Sequence, residues 1–175
     1  MFCLNESERE EGISTMLHVK IAAVGLLKER ALQDLVGEYA KRLGICCRFE
    51  IVEVADEKAP ETLSAAQRET VMAAEAERLL RQVAPGDYVI ALAIGGEMLS
   101  SEELAARLEK LAVSGRSSLV FLIGGSVGLG TAALRRADAR LSLSRLTFPH
   151  QLARLILTEQ LYRAFKINRN EPYHK

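Results

Sequence analysis

The residues best suited to chemistry gather late in the chain. The run Gly124-Gly125-Ser126-Val127-Gly128-Leu129-Gly130 follows an apolar stretch, SLVFLI, and precedes a helix-forming one. Glycines at such a junction permit positive φ and let backbone N–H groups come close to a ligand. The spacing is not G-x-G-x-x-G and carries no Walker Lys-Ser/Thr, so a dinucleotide or a triphosphate is poorly supported. Read alone, the run is either a plain strand-to-helix turn or a ligand loop.

A second loop, Ser142-Leu143-Ser144-Arg145-Leu146-Thr147-Phe148-Pro149-His150, packs hydroxyls, a cation and a proline ahead of a helix. Its backbone offers polar groups to an adenine, while Leu146 and Phe148 can cover the ring faces. The plainer alternative is a capping loop with Thr147 near the cap. His150 alone reads more readily as a structural or capping histidine than as a catalytic one, and a helix N-terminus disfavours the imidazolium. A third region runs from Gln151 to Lys175. Leu152, Leu155, Ile156, Glu159, Tyr162, Arg163 and Lys166 fall on helical spacing, with the apolar members available for a core or a subunit interface. Arg145, Arg154, Arg163, Lys166, Arg169 and Lys175 make this end locally basic against Glu159 and Glu171 alone. Tyr173 and His174 add rings, and cations beside stackable rings suit RNA. The plainer alternative is a solvated, frayed terminus.

These residues need elements to position them. Alternation in 18–24 (HVKIAAV) reads as a strand, and an i, i+3, i+4, i+7 stripe over 28–43 as a helix. A strand is expected over 46–54. Pro60 suits a helix start, and 61–83 is rich in helix formers. Residues 88–93 (YVIALA) and 118–123 (SLVFLI) are continuous apolar runs, expected where a parallel sheet is buried on both faces. Ser100 with Glu103 fits a capping box for a helix reaching about 113. A short helix over 131–138, a short strand over 141–143 and a helix over 150–166 complete the order. Strict β-α alternation implies a layered α/β domain with a mostly parallel sheet and helices on both faces. Ligands of such sheets bind at the carboxyl ends of the strands, which singles out the loops after Leu92, Ile123 and Leu143.

Composition bounds the rest. The 175 residues fit one domain, and an apolar fraction of 49% supplies a core. Lys plus Arg and Asp plus Glu are 23 each, so a broad basic nucleic-acid surface is absent and RNA contact must come from a local patch. No apolar run reaches the ~18 residues of a membrane span. Residues 1–15 are polar, acidic and aperiodic. They read as a disordered extension without a secretory signal's basic and apolar regions, and Met16 is an alternative start. Cys3, Cys46 and Cys47 make neither a disulfide framework nor a C-x-x-C metal spacing. A reduced, cytoplasmic interior is expected, with no metal, membrane or DNA partner.

The run Leu146-Thr147-Phe148-Pro149-His150-Gln151-Leu152-x-Arg154, then Glu159-Gln160-Leu161-Tyr162-Arg163-Ala164, then Pro172-Tyr173-His174-Lys175, resembles the bacterial large-subunit rRNA pseudouridine methyltransferase H family, one of the SPOUT methyltransferases. The resemblance is close over 141–175. Over 17–140 it is looser, resting on element order and on Leu-Ile-Gly-Gly at 122–125. Residues 1–15 fall outside it, and Val127 stands where relatives often carry a polar residue.

The resemblance implies a C-terminal trefoil knot, a homodimer, and S-adenosylmethionine as methyl donor. The implied donor site is Leu92, Gly124, Gly125 and the segment Ser144, Arg145, Leu146, Thr147, Phe148 and Pro149. The implied substrate is a pseudouridine in the helix 69 loop of 23S rRNA in the assembled ribosome, methylated at N3. Such a transfer is a direct displacement. It needs nucleophile and methyl in line, about 3–3.5 Å apart, and a base for the N3 proton. His150 and His174 are the candidate bases. Arg154 and Arg163 are candidates to hold phosphates or a developing oxyanion, and Tyr173 to stack on the target base. Two other classes are kept open. A non-catalytic ribosome-binding factor of the same fold need not keep loops 124–130 and 144–149 fit for a cofactor. A nucleotide-binding oxidoreductase would show G-x-G-x-x-G with an acid about 20 residues on.

Overall fold

Residues 118–123 are apolar because they pack on both sides. Strand β4 (Ser118–Ile123) sends Leu119, Phe121 and Ile123 into one core and Val120 and Leu122 into another. The computed structural model describes residues 16–58 and 62–173. The expected extension at 1–15, the helix-start expectation at Pro60 and the candidate base His174 lie outside the described residues.

Five parallel strands form one sheet in the order β2-β1-β4-β3-β5. The others are β1 (His18–Val24), β2 (Arg48–Val54), β3 (Tyr88–Met98) and β5 (Ala139–Ser142). Helices α1 (Arg30–Gly44), α3 (Ser101–Val113) and α5 (His150–Asn168) contribute to one core layer, and α2 (Ala65–Leu80) and α4 (Thr131–Arg136) to the other. The expectation of a layered α/β domain with helices on both faces holds. Helix α5 lies between α1 and α3. It carries Leu157, Leu161 and Ala164 inward, all fully buried.

Most boundaries shift by one to a few residues from the sequence expectation, β5 to 139–142 and α4 to 131–136 among them, and three shifts have a clear physical cause. Helix α2 begins four residues later than 61, because Ser64 caps it: the Ser64 Oγ accepts the Gln67 N–H at 3.2 Å and Gln67 returns the contact at 2.9 Å. The same box at Ser100 and Glu103, expected from sequence, closes with bonds of 3.1 and 2.7 Å. Cys46 and Cys47 precede β2 rather than opening it, since their N–H groups return to the Leu43 carbonyl at the end of α1. Strand β3 runs past Ala93 to Met98, with its pairing to β5 slipping between Leu92 and Glu97. The sequence expectation stops at Ala93, short of the Gly95-Gly96 pair. In the fold that pair lets β3 bulge and rejoin β5, with a Cβ on Gly96 falling 2.6 Å from the Leu141 backbone.

Candidate active site

The carboxyl ends of β3, β4 and β5 meet around one cavity of about 650 Å³. Its walls are Leu92 to Ile94 from the β3 bulge, Ile123 to Leu129 after β4, and Leu141 to Ser144 with Leu146 to His150 after β5. Ala153, one turn into α5, closes the inner end. The size falls in the range of small-molecule sites, ~300–1,000 Å³. Of the residues singled out for the donor, Leu92, Gly124, Gly125, Ser144, Leu146, Thr147, Phe148 and Pro149 line this space together. Arg145 is exposed and outside the lining. Leu146, 73% exposed, and Ile94, 74% exposed, are apolar wall residues open to solvent.

The glycine turn is shaped by crowding more than by positive φ. Gly128 alone in the run has positive φ, at 96°. A Cβ on Gly124 would fall 2.5 Å from the Gly128 carbonyl group, so the turn folds onto itself, and Gly128 donates its N–H to the Gly125 carbonyl at 3.1 Å. A Cβ on Gly125 would point away from the cavity, 2.8 Å from the Glu75 carboxyl and 3.0 Å from Val24. A side chain there would push the turn into the cavity rather than stand in it.

The third wall holds itself by local bonds. Ser142 Oγ donates to the Ser144 carbonyl at 2.9 Å, and Ser144 Oγ accepts the Leu146 N–H at 3.0 Å. Pro149, not Thr147, occupies the N-cap of α5, without a side-chain cap. His150 is therefore the first helical residue and faces both the cavity and the turn at Gly25, where a Cβ would sit 3.6 Å from its Nε2. Burial holds the imidazole below its ordinary pKa, Arg154 and Lys28 push the same way, and Asp56 opposes them. A neutral ring in the wall has a lone pair to accept a proton.

Arg154 takes a different part from the one its charge suggested. It is 0% exposed. Its guanidinium bonds to Glu53 and donates to the Gly25 carbonyl at 2.9 Å and the Val24 carbonyl at 3.4 Å. It fastens α5 to the ends of β1 and β2 and cannot meet a phosphate from this position. Arg163 bonds Glu159 at 2.6 Å and lies 4.8 Å from the ring centroid of Tyr173. Tyr173 packs edge-on to Tyr162 at 5.0 Å and donates to Glu159 at 3.2 Å. Burial, the main cause, and the bond to Tyr39 push its hydroxyl pKa up. Tyr162 stands about 18 Å along α5 from His150 at 1.5 Å per residue. Within one chain, then, Arg163 and Tyr173 form a cluster apart from the cavity that His150 lines. The basic end is also less basic than its composition: Lys166 pairs with Glu171, and Arg169 approaches it at 4.0 Å.

Residues not singled out from sequence include Ala93, Ile94 and Ala153 in the lining, and Glu75 behind it. The lining members are neighbours of residues that were singled out. Glu75 left no signal beyond a charge in a helix of many charges. Among the described residues, no group of three or more His, Cys, Asp or Glu side chains is placed to hold a metal ion, and no helix is long and apolar enough to cross a membrane.

Parallel strands ending in one backbone-walled chamber define an α/β protein with a small-ligand site. A family model described as "Predicted SPOUT methyltransferase" matches residues 17–174, and the chain belongs to that methyltransferase family. It is 55% identical over 159 residues to "Ribosomal RNA large subunit methyltransferase H" of Limosilactobacillus reuteri (strain DSM 20016), covering 91% of this chain and 100% of the relative. Identity to the protein of the same name from Clostridioides difficile (strain 630) is 53% over 159 residues, with the same 91% and 100% covered. Among solved structures, a probable methyltransferase from Bordetella pertussis Tohama I shares the fold, with a TM-score of 0.50 and 15% identity over 87% of this chain and 98% of that one.

Proposed function

We propose that this protein is a cytoplasmic ribosomal RNA methyltransferase. In this reading it moves the methyl group of S-adenosylmethionine to N3 of a pseudouridine in the helix 69 loop of 23S rRNA, in the assembled ribosome. The observation that carries the reading is the convergence of the loops after β4 and β5, with the β3 bulge, on a single chamber. Relatives that match along their whole length and bear a ribosomal RNA methyltransferase name support the substrate class.

The residues fit the donor. Leu92, Ile94, Leu146 and Phe148 supply apolar walls for an adenosine, and the backbone of 124–129 and 142–149 supplies the polar groups. When bound, S-adenosylmethionine supplies an electrophilic methyl group. The protein's share is positioning and a proton acceptor. His150 takes the N3 proton, since its ring is held neutral and lines the chamber. His174 keeps its place as a second candidate.

The cluster of Tyr173 and Arg163 lies too far along α5 to serve the chamber of its own chain. We therefore assign it to the chamber of a second copy in a homodimer. Leu152, Leu155 and Ile156 support this, because they form a half-open apolar stripe on α5 that the chain's own core leaves incompletely covered. A self-complementary two-fold contact is the common form of such an interface. The trefoil knot belongs to the same proposal. Its support is that α5 leaves edge strand β5 and returns to be tied by Arg154 beneath the end of β1.

The test is incubation with labelled S-adenosylmethionine and whole ribosomes, isolated subunits or naked rRNA, followed by nucleoside mass analysis. Label in a pseudouridine of 23S rRNA, greatest with whole ribosomes, is expected. Tight ribosome binding without any label would favour the non-catalytic binding factor.

A further inference from the structure

Glu75 sits on the inward face of α2 and is 3% exposed. Its Oε1 accepts the Glu57 backbone N–H at 3.0 Å. Its Oε2 is buried with no hydrogen-bond partner among the described residues. Both oxygens face the back of Gly125, at 2.8 and 3.0 Å from where a Cβ would stand, and the front of Gly125 lines the chamber. One backbone residue therefore separates a sealed carboxyl group from the ligand space.

Packing alone does not account for this residue. A buried carboxyl oxygen without a partner costs stability that a leucine or methionine of similar volume would not. The surrounding charges do not offset the cost. Burial is the main influence and disfavours the carboxylate; the Glu57 backbone N–H opposes it, while the charges of Asp56 and Glu57, on the loop after β2, act with burial. Arg78 on α2 favours ionisation, but it is engaged with Glu57 and with the Ala55 carbonyl. The Gly125 turn and the end of β1 bring no charge. Among the described residues, the cations nearest this corner, Arg78 and Arg154, are engaged with other partners, and the chamber side has room for a further one.

We propose that Glu75 is the counter-charge for the donor's sulfonium, acting through the thin wall at Gly125, and that it distinguishes the cationic donor from the neutral thioether left after transfer. This rests on the S-adenosylmethionine reading above. In the transfer the S–CH3 bond breaks with its electron pair staying on sulfur, the new N–CH3 bond forms at N3, and the N3 proton leaves to the base. The positive charge opposite Glu75 disappears in that step. The carboxylate is then left unmatched and takes up a proton, and the product is held less tightly than the donor. Glu75 is a positioning and selectivity residue here, not one that touches the reacting atoms.

The experiment is calorimetry on the full chain with S-adenosylmethionine and with its demethylated thioether product, in buffers of different ionisation enthalpy. The parent should prefer the donor and release protons on binding it but not on binding the thioether. Glu75→Gln keeps the size and the acceptor for Glu57, and removes the charge. Donor affinity should fall at least about tenfold, since a charge pair a few ångströms apart in protein is worth more than that before the cost of ionising a buried carboxyl is deducted, while thioether affinity stays unchanged. Equal weakening of both ligands would make Glu75 a prop for the turn, or a partner of the ammonium group they share, and would overturn the proposal. No change in either would overturn it too. If the variant does not fold, the parent alone decides. Donor affinity that rises with pH relative to thioether affinity supports the proposal, and parallel pH profiles refute it. A parent that binds neither ligand removes the donor reading itself, and this inference with it, before any variant is made.

Discussion

Arg154→Met separates two accounts of a residue whose charge and position pull in different directions. In the fold the guanidinium is enclosed and bonds Glu53 and the Gly25 and Val24 carbonyls. Methionine fills much of the volume and deletes all three bonds. Glu53 would not be stranded completely, because its Oε1 also accepts the Leu27 N–H at 2.9 Å and its side chain is 31% exposed. The full penalty of breaking a buried pair, about 3–5 kcal/mol, is therefore not reached on that side, and about 1–2 kcal/mol is the better figure. The Gly25 carbonyl loses a charged donor at 2.9 Å, and the Val24 carbonyl a weak one at 3.4 Å. Together these add about 1–2 kcal/mol. The expected total is about 3 kcal/mol, or roughly 6–12 °C in Tm for a chain of this size. Urea unfolding followed by circular dichroism measures it. Glu53→Gln in the same background should couple to Arg154→Met by more than about 1 kcal/mol. A variant within about 0.5 kcal/mol of the parent that cannot methylate ribosomes would refute this reasoning and return Arg154 to the substrate.

Gly125→Ala should drive the turn into the chamber, since its Cβ has 2.8 Å to the Glu75 carboxyl; calorimetry should show donor affinity falling far more than stability, and an unchanged affinity would remove this turn from the site. The acid limb of kcat/KM should lie below the ordinary imidazole value of 6.5, because burial and Arg154 keep His150 neutral as pH falls through that value and protonation comes only lower. His150→Gln should abolish that limb and cost about a hundredfold or more in rate, whereas a retained limb would pass the role to another group. Removing Pro172 to Lys175 should cost about 1 kcal/mol through the Tyr162–Tyr173 contact. It should leave donor affinity nearly intact and lower methyl transfer to ribosomes about a hundredfold; full activity would show the tail to be passive. Light scattering should give twice the 19.3 kDa chain mass, and an active monomer would defeat the dimer.

The architecture was legible because the strands are written in two ways. Runs such as SLVFLI have no polar face to lose, and every strand in the sheet is separated from the next by a helical period. The chamber loops were legible because glycine, proline and hydroxyl residues crowd the junctions after β4 and β5. What escaped was set by contacts across the chain. Glu75 looks like any solvated helix charge until α2 is laid against the glycine turn. Arg154 is one basic residue among several until α5 is seen beneath β1. The β3 bulge lies beyond the apolar run that marked the strand, and its pairing with Leu141 on both sides of the slip keeps it a strand. The Gly125 contact reversed a reason as well as adding one, since the missing Cβ makes room for Glu75 rather than for a ligand.

The strand order has a consequence for how the molecule is made. Strand β4 lies between β1 and β3, yet it is synthesised after both. Until residues 118–123 leave the ribosome, β1 and β3 each present an unpaired inner edge, the kind of edge that templates pairing with other chains. Arg154 then closes contacts to residues 101, 129 and 130 positions earlier, so the far wall of the chamber docks last. Long-range parallel pairing of this sort folds slowly, and domains begin to fold from the N-terminus during synthesis. A truncated or stalled chain lacking β4 would therefore not be a smaller working version of this protein but a pair of open sheet edges. Its safe production depends on the last third of the sequence arriving promptly.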